Sequence, residues 1–213
     1  MGLDWIPIDI AKPGFEGERA KLRQRIRWNL PYFTARWRKR YNEIVIPAHA
    51  SVGAPRVGVD RVADEWARAR YAKKAHKDCS EEEFLQRMHG YDVLQLVKSP
   101  GLPQFTHGGL YAGADPTSYR GQFVMDSKDL ITDEIANRGY RSFTAEEAVD
   151  YGRQLLERAR EAARQHSLDV ATVAVSPDDD PLDSIAGQVE IFRTAGEWFQ
   201  FWGGKGHSIE PWA

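Results

Sequence analysis

The stretch that decides the fold class is FTAEEAVDYGRQLLERAREAARQ, residues 143–165. Thr144 stands where a helix N-cap is wanted, and Glu147 follows three residues later to complete a capping box. Phe143 is placed to staple onto Ala148. Ala148, Gly152, Leu155, Ala159 and Ala162 recur at the 3.6-residue period, which predicts one long amphipathic helix over 145–165. A second strong signal lies in PLDSIAGQVEIFRTAGEWFQFW, residues 181–202. It has Asp180 as cap, Pro181 at the first position and Gly203 just past the end. Leu182, Ile185, Val189, Phe192 and Phe199 form its expected buried stripe.

Weaker helix signals fill the N-terminal part. Residues 16–29 and 31–42 read as two helical pieces broken at Pro31, which removes a backbone donor. Leu22, Ile26, Phe33 and Trp37 sit at helical intervals and are expected to face a core. Residues 60–77 begin at Asp60 as N-cap, with Val62, Trp66 and Ala69 on one face, and Ser80 with Glu83 forms another capping box. Strand candidates are short: Glu43–Ile46, Val93–Val97, Gln122–Met125 and Val170–Val175. No regular alternation of strand and helix occurs, and no repeat. The expected class is mainly helical α+β: amphipathic helices, one small β-sheet, and two long irregular loops at 47–59 and 99–121.

The 213 residues fit one globular domain, 1–213, and a 42% apolar, 28% charged composition is that of an ordinary soluble protein. No apolar run reaches the roughly 18 residues that a membrane-spanning helix needs. The first residues carry neither the basic segment nor the apolar stretch of a secretory leader, so none is expected. The single cysteine, Cys79, excludes a disulfide framework, and a cytoplasmic location follows as the expectation. No pair of histidines has metal-ligand spacing, and neither a metal nor a cofactor is expected.

Charge is unevenly distributed. Residues 1–78 hold 17 Lys/Arg against 9 Asp/Glu, whereas residues 79–213 hold 12 against 22. The formal charge of −2 therefore joins a basic N-terminal half to an acidic C-terminal half. The run 19–41, RAKLRQRIRWNLPYFTARWRKRY, contains nine Lys/Arg, no acid and five aromatic residues. Arg23, Arg25, Arg27, Arg36, Arg38 and Arg40 are candidates to track a phosphate backbone, with rings available to stack bases. The alternative is a basic layer neutralised by the acidic half, within the chain or across a homo-dimer.

The segment 99–121, SPGLPQFTHGGLYAGADPTSYRG, has five glycines and three prolines and no helical or strand period. Irregular segments of this length in compact domains are commonly functional loops. His107 is the candidate general acid/base, Arg120 the candidate anion clamp, and Asp126 a further candidate catalytic group. Tyr111, Asp115 and Tyr119 are candidate ligand contacts, as are His49 and Arg56 of the 47–59 loop. The competing reading makes both loops ordered covers over the core. No G-x-S-x-G elbow supports a serine hydrolase. The tail Gly203–His207, GGKGH, follows a helix and lacks the Lys-Ser/Thr ending of a phosphate loop, so it reads as a helix stop.

The opening Met1-Gly2-Leu3-Asp4 resembles the MG(L/M)D start of a family of small, uncharacterised bacterial and phage-borne proteins. Leu22–Tyr32 is similar to that family's F-R-N-N-x-W-x-W-R-P-L segment at Arg23, Trp28 and Pro31. It departs from it at Gln24-Arg25 and at Leu30. Gly58-Val59-Asp60 is similar to its G-L-D helix start, and Gly203-Gly204 with Ile209 to its closing G-G-F-x-I. The resemblance implies no activity and no site residue. Three readings follow from the residues themselves. The first is a non-catalytic binding protein with a protein partner. The second is an enzyme on a small anionic substrate, acting through 99–121. The third is nucleic-acid binding through 19–41.

Overall fold

The computed structural model describes residues 2–27, 34–74, 78–99, 101–103, 107–174, 176 and 178–212. In chain order its elements begin with β1 (Asp4–Pro7), β2 (Ile10–Ala11), α1 (Glu16–Arg27), α2 (Thr34–Ile44) and β3 (Val45–Ile46). There follow α3 (Ala48–Ser51), α4 (Arg61–Ala72), α5 (Glu81–Met88), α6 (Gln122–Asp126) and α7 (Asp133–Gly139). The chain closes with α8 (Ala145–Gln165), α9 (Ile185–Gly204) and β4 (Ile209–Trp212). The fold is mainly helical α+β. Its contacts divide into two compact units, Met1–Ala48 with Pro100–Ala213, and His49–Ser99. These boundaries differ from the charge boundary at residue 78. No described helix is long and apolar enough to cross a membrane.

The larger unit is organised by α8 and α9. The capping box at Thr144 and Glu147 forms as the sequence predicts, and α8 buries Ala148, Gly152, Leu155, Ala159 and Ala162. Helix α9 is buried on nearly all sides, from Gly187 to Gly203. Two glycines let the helices approach. A Cβ on Gly152 would lie 2.7 Å from the Gly196 carbonyl oxygen, and one on Gly196 would lie 2.6 Å from Leu156. Asp180 caps only a short 3₁₀ turn, Pro181–Asp183, and Ser184 caps α9 itself by accepting from the Gly187 N–H. The helix expected over 181–202 therefore begins at Ile185.

Against these helices sits an aromatic core. Trp5 is fully buried and packs edge-on to Phe199, Tyr151 and stacked on Tyr119, with centroids 4.8–6.1 Å apart. Each such ring stabilises the fold by about 2–3 kcal/mol through burial. Their polar atoms are satisfied: Trp5 Nε1 donates to the Gly139 carbonyl, Trp198 Nε1 to that of Thr117, and the Tyr151 hydroxyl to that of Ile135.

Sheet structure is minimal. β1 pairs antiparallel with β4, from Asp4↔Trp212 to Pro7↔Ile209, and β2 pairs antiparallel with β3. The one small sheet expected is thus two two-stranded ladders. Of the strand candidates, only Val45–Ile46 of Glu43–Ile46 is a strand. Gln122–Asp126 is α6, Leu94–Leu96 is a 3₁₀ turn, and 170–174 is turn and irregular. Apolar runs of four or five residues read alike as strand or buried helix, and tertiary packing decides between them.

Helices α1 and α2 form a hairpin with its own cluster: Leu22, Ile44 and Val45, with Phe15, Trp37 and Tyr41 packed against them. Leu22 and Trp37 face inward as the spacing predicts; Phe33 lies outside the described residues.

The smaller unit packs Val57, Ala63, Ala67 and Val93 under Trp66, Leu85, Met88 and Leu96. The buried face of α4 is Ala63, Ala67 and Tyr71, so the expected face through Val62, Trp66 and Ala69 is turned by about one residue. Asp60 makes no cap bond; its carboxylate accepts from the Arg56 N–H, while Asp64 accepts from that of Gly58. The capping box at Ser80 and Glu83 is formed.

Candidate functional site

The 99–121 segment folds against the aromatic core. Asp115 closes a tight turn, its carboxylate accepting from the backbone N–H groups of Thr117 and Ser118 at 2.7 and 3.0 Å. The chain then runs beside β1, where Tyr119 and Trp5 exchange both backbone hydrogen bonds. Close approach explains two glycines here. A Cβ on Gly113 would strike the Asp4 carboxylate at 2.8 Å, and one on Gly121 the Trp5 indole at 2.9 Å.

The rings of Tyr111 and Tyr119 stack at 5.7 Å and are both fully buried. The Tyr119 hydroxyl donates to the Ile191 carbonyl at 3.0 Å and lies 2.8 Å from the Thr194 hydroxyl. Burial pushes both phenols far above their ordinary pKa, so neither ionises near neutral pH. The expected ligand contacts Tyr111 and Tyr119 are therefore core residues, with no ring face open to solvent. Arg120 donates through Nε to Asp4 at 2.7 Å, an internal pair formed by a side chain that is 43% exposed. Asp126 is exposed on α6 and accepts from Gln122. The side chain of His107 lies outside the described residues.

A cavity of about 500 Å³ opens beside this segment, lined by Gly108, Leu110, Phe123, Asp178, Asp179, Asp180 and Pro181. Among the described residues its charged groups are carboxylates, the wrong sign for the anionic substrate expected at this loop. Asp180 is also engaged at the Leu182 N–H. Among the described residues no group of three or more His, Cys, Asp and Glu is placed to hold a metal ion.

In the smaller unit, His49 and Arg56 converge on one carboxylate. Arg56 is bidentate to Asp92 at 2.9 and 3.2 Å, and His49 Nε2 lies 3.5 Å from the same group. Asp92 raises the pKa of Arg56 through these bonds. Backbone bonds from Val57 to Tyr91 and from Val93 to Pro55 run alongside. This arrangement clasps the 47–59 loop to residues 90–93 and leaves Arg56 satisfied.

The basic run separates into two sets. Arg40 reaches Glu18 through two bonds of 2.8 and 3.0 Å, and Glu43 at 3.3 Å. This contact holds the Glu18 carboxyl below its ordinary pKa. Arg23 pairs with Glu210 of β4. These two cations belong to the fold. Lys21, Arg25, Arg36, Arg38 and Lys39 are exposed, and among the described residues none has a carboxylate within ion-pair reach. Arg25 lies 5.9 Å over the Trp37 ring, a contact that leaves its charge uncompensated. Lys21 and Arg25 are one turn apart on α1, as are Arg36 and Lys39 on α2. The side chain of Arg27 lies outside the described residues. Lys21 and Lys39 were absent from the sequence-derived candidates, although the helical period places each beside an arginine that was included.

Compared with protein-family models, curated proteins and solved structures, the chain matches none of them.

Proposed function

We propose that the protein is a non-catalytic binding protein whose ligand is a polyanion of the nucleic-acid class, held by the outer faces of α1 and α2. The observation that carries this reading is the uncompensated set Lys21, Arg25, Arg36, Arg38 and Lys39, standing beside Arg23 and Arg40, which are paired. Within the hairpin, the half-buried Arg23 and Arg40 reach carboxylates of the fold. Five cations that do not, on one short hairpin, make a site where an anionic polymer releases its counterions. The enzyme reading has less support. Arg120 is engaged by Asp4, Tyr111 and Tyr119 are buried, and the adjoining cavity is acidic.

The test is binding of the full chain to a labelled oligonucleotide across a salt series. If all five cations meet phosphates, log affinity falls with log salt at a slope of roughly −4. The double substitution Arg36→Glu, Arg38→Glu is expected to flatten that slope and weaken binding at least roughly ten-fold. Absence of binding at low salt would overturn the reading.

A further inference from the structure

We infer that the smaller unit docks a protein partner on the outer face of α4, and that the partner presents an amphipathic helix whose apolar stripe is flanked by carboxylates. Helix α4 turns its small residues inward and leaves larger apolar ones outside. Ala63 and Ala67, with Tyr71, are its buried residues, and the two alanines pack with Val57 and Val93. Val62 stays 48% exposed, and Val59, in the turn before the helix, 70%. Trp66, one turn after Val62, is stacked with Tyr91 at 6.2 Å, and Tyr91 is itself 42% exposed. Apolar surface of this kind, rimmed by charge, marks a place where another molecule binds.

Arg70 lies 5.3 Å over the Trp66 ring. Arginine, tryptophan and tyrosine are the side chains that concentrate binding energy at interfaces. Here the three already hold one another in place, so little side-chain freedom is lost when a partner arrives. Charge selects that partner. Arg70 and Lys73 continue the line of Val62 and Trp66 toward the end of α4, and both are exposed. Every Asp and Glu of the smaller unit lies among the described residues, and none is within ion-pair reach of either cation. Their neighbours are paired: Arg61 with Glu65, Arg68 with Glu81 and Lys74 with Asp78. A helix laid along this line, roughly 16 Å from Val62 to Lys73, sets apolar residues over Val62 and Trp66 and carboxylates over Arg70 and Lys73. A second copy of the chain brings the same two cations and no carboxylate on this line, so it complements the face less well.

The experiment selects a displayed library of amphipathic helical peptides, random at the positions flanking the apolar stripe, on the immobilised full chain. Enriched peptides are expected to carry Asp or Glu at those positions, and a fluorescent copy of one is expected to bind in the micromolar range. Val62→Asp and Arg70→Glu, both at exposed positions, are each expected to weaken it roughly ten-fold, with helix content by circular dichroism unchanged. Excess oligonucleotide is expected not to displace the peptide, which separates this face from the polyanion site on α1 and α2. Failure to enrich any peptide, enrichment of basic flanks, binding indifferent to both substitutions, or displacement by the oligonucleotide overturns the inference. So does a dimer of the full chain in analytical ultracentrifugation that Val62→Asp dissociates, because the face is then covered by a second copy.

Discussion

Helices α8 and α9 and helices α1 and α2 are both helix pairs of the same compact unit, built to opposite ends. Thirteen of the 20 residues of α9 are buried, against two of the 11 of α2, so the stability of the unit resides in the first pair. The first pair approaches through glycines at the contact and buries Trp198, whose indole nitrogen donates to the Thr117 carbonyl. The second has a small cluster, spends Arg40 and Arg23 on ion pairs with Glu18 and Glu210, and turns other charge outward. A helix pair that anchors a core has little freedom in its sequence. One that carries charge at its surface needs only enough packing to stay helical, and its outer face is free to serve a ligand.

The sharpest way to break this contrast is in the core. Trp5→Ala removes a ring that touches Tyr119, Tyr151 and Phe199, and is expected to cost about 4 kcal/mol in denaturant unfolding. A cost near zero would mean that the aromatic cluster does not hold the unit together. Gly152→Val drives a side chain into the Gly196 carbonyl and is expected to cost about 3 kcal/mol, read as a lowered unfolding midpoint.

Acidification should produce a smaller loss. His207 is buried, its Nδ1–H donates to the Ile8 carbonyl at 2.8 Å, and burial holds its pKa below 6.5. The unfolded chain therefore takes up this proton first. The contribution of His207 is full above about pH 6.5 and is lost as pH falls below that value. A thermal series from pH 7.5 to 5 should show falling stability that is shallower in His207→Asn. At the other extreme, Arg36→Glu with Arg38→Glu is expected to leave the melting temperature unchanged while polyanion binding falls. A large stability loss there would assign these arginines to the fold and erase the distinction between the two pairs.

What could be read from the sequence was what is encoded locally. The α8 helix and its capping box depend on residues within one or two turns, and both are formed as predicted. The tyrosines of the 99–121 segment were misassigned for the opposite reason. Tyr119 is buried because its hydroxyl finds Ile191 and Thr194 on a helix more than 70 residues further along, and no local pattern reports that. The basic run was visible as charge, but which of its members are spent on pairing was not. Glu210, which takes Arg23, lies at the far end of the chain, while Glu18, which takes Arg40, sits on the neighbouring helix. For Arg56 and His49 the common partner, Asp92, is likewise distant in sequence, so a clasp looked like a pair of ligand contacts.

The pairing of β1 with β4 has a consequence for biosynthesis. Asp4–Pro7 is made about 200 residues before its ladder partner Ile209–Trp212, with the whole smaller unit made in between. At about 5–20 residues per second, the wait is roughly 10 to 40 s. Until α8 and α9 have been made, the Trp5 indole lacks the rings of Tyr151 and Phe199 that pack on it in the fold. The nascent chain thus carries Trp5 uncovered until those helices are made, and it is over this interval that its apolar surface is open to misassociation.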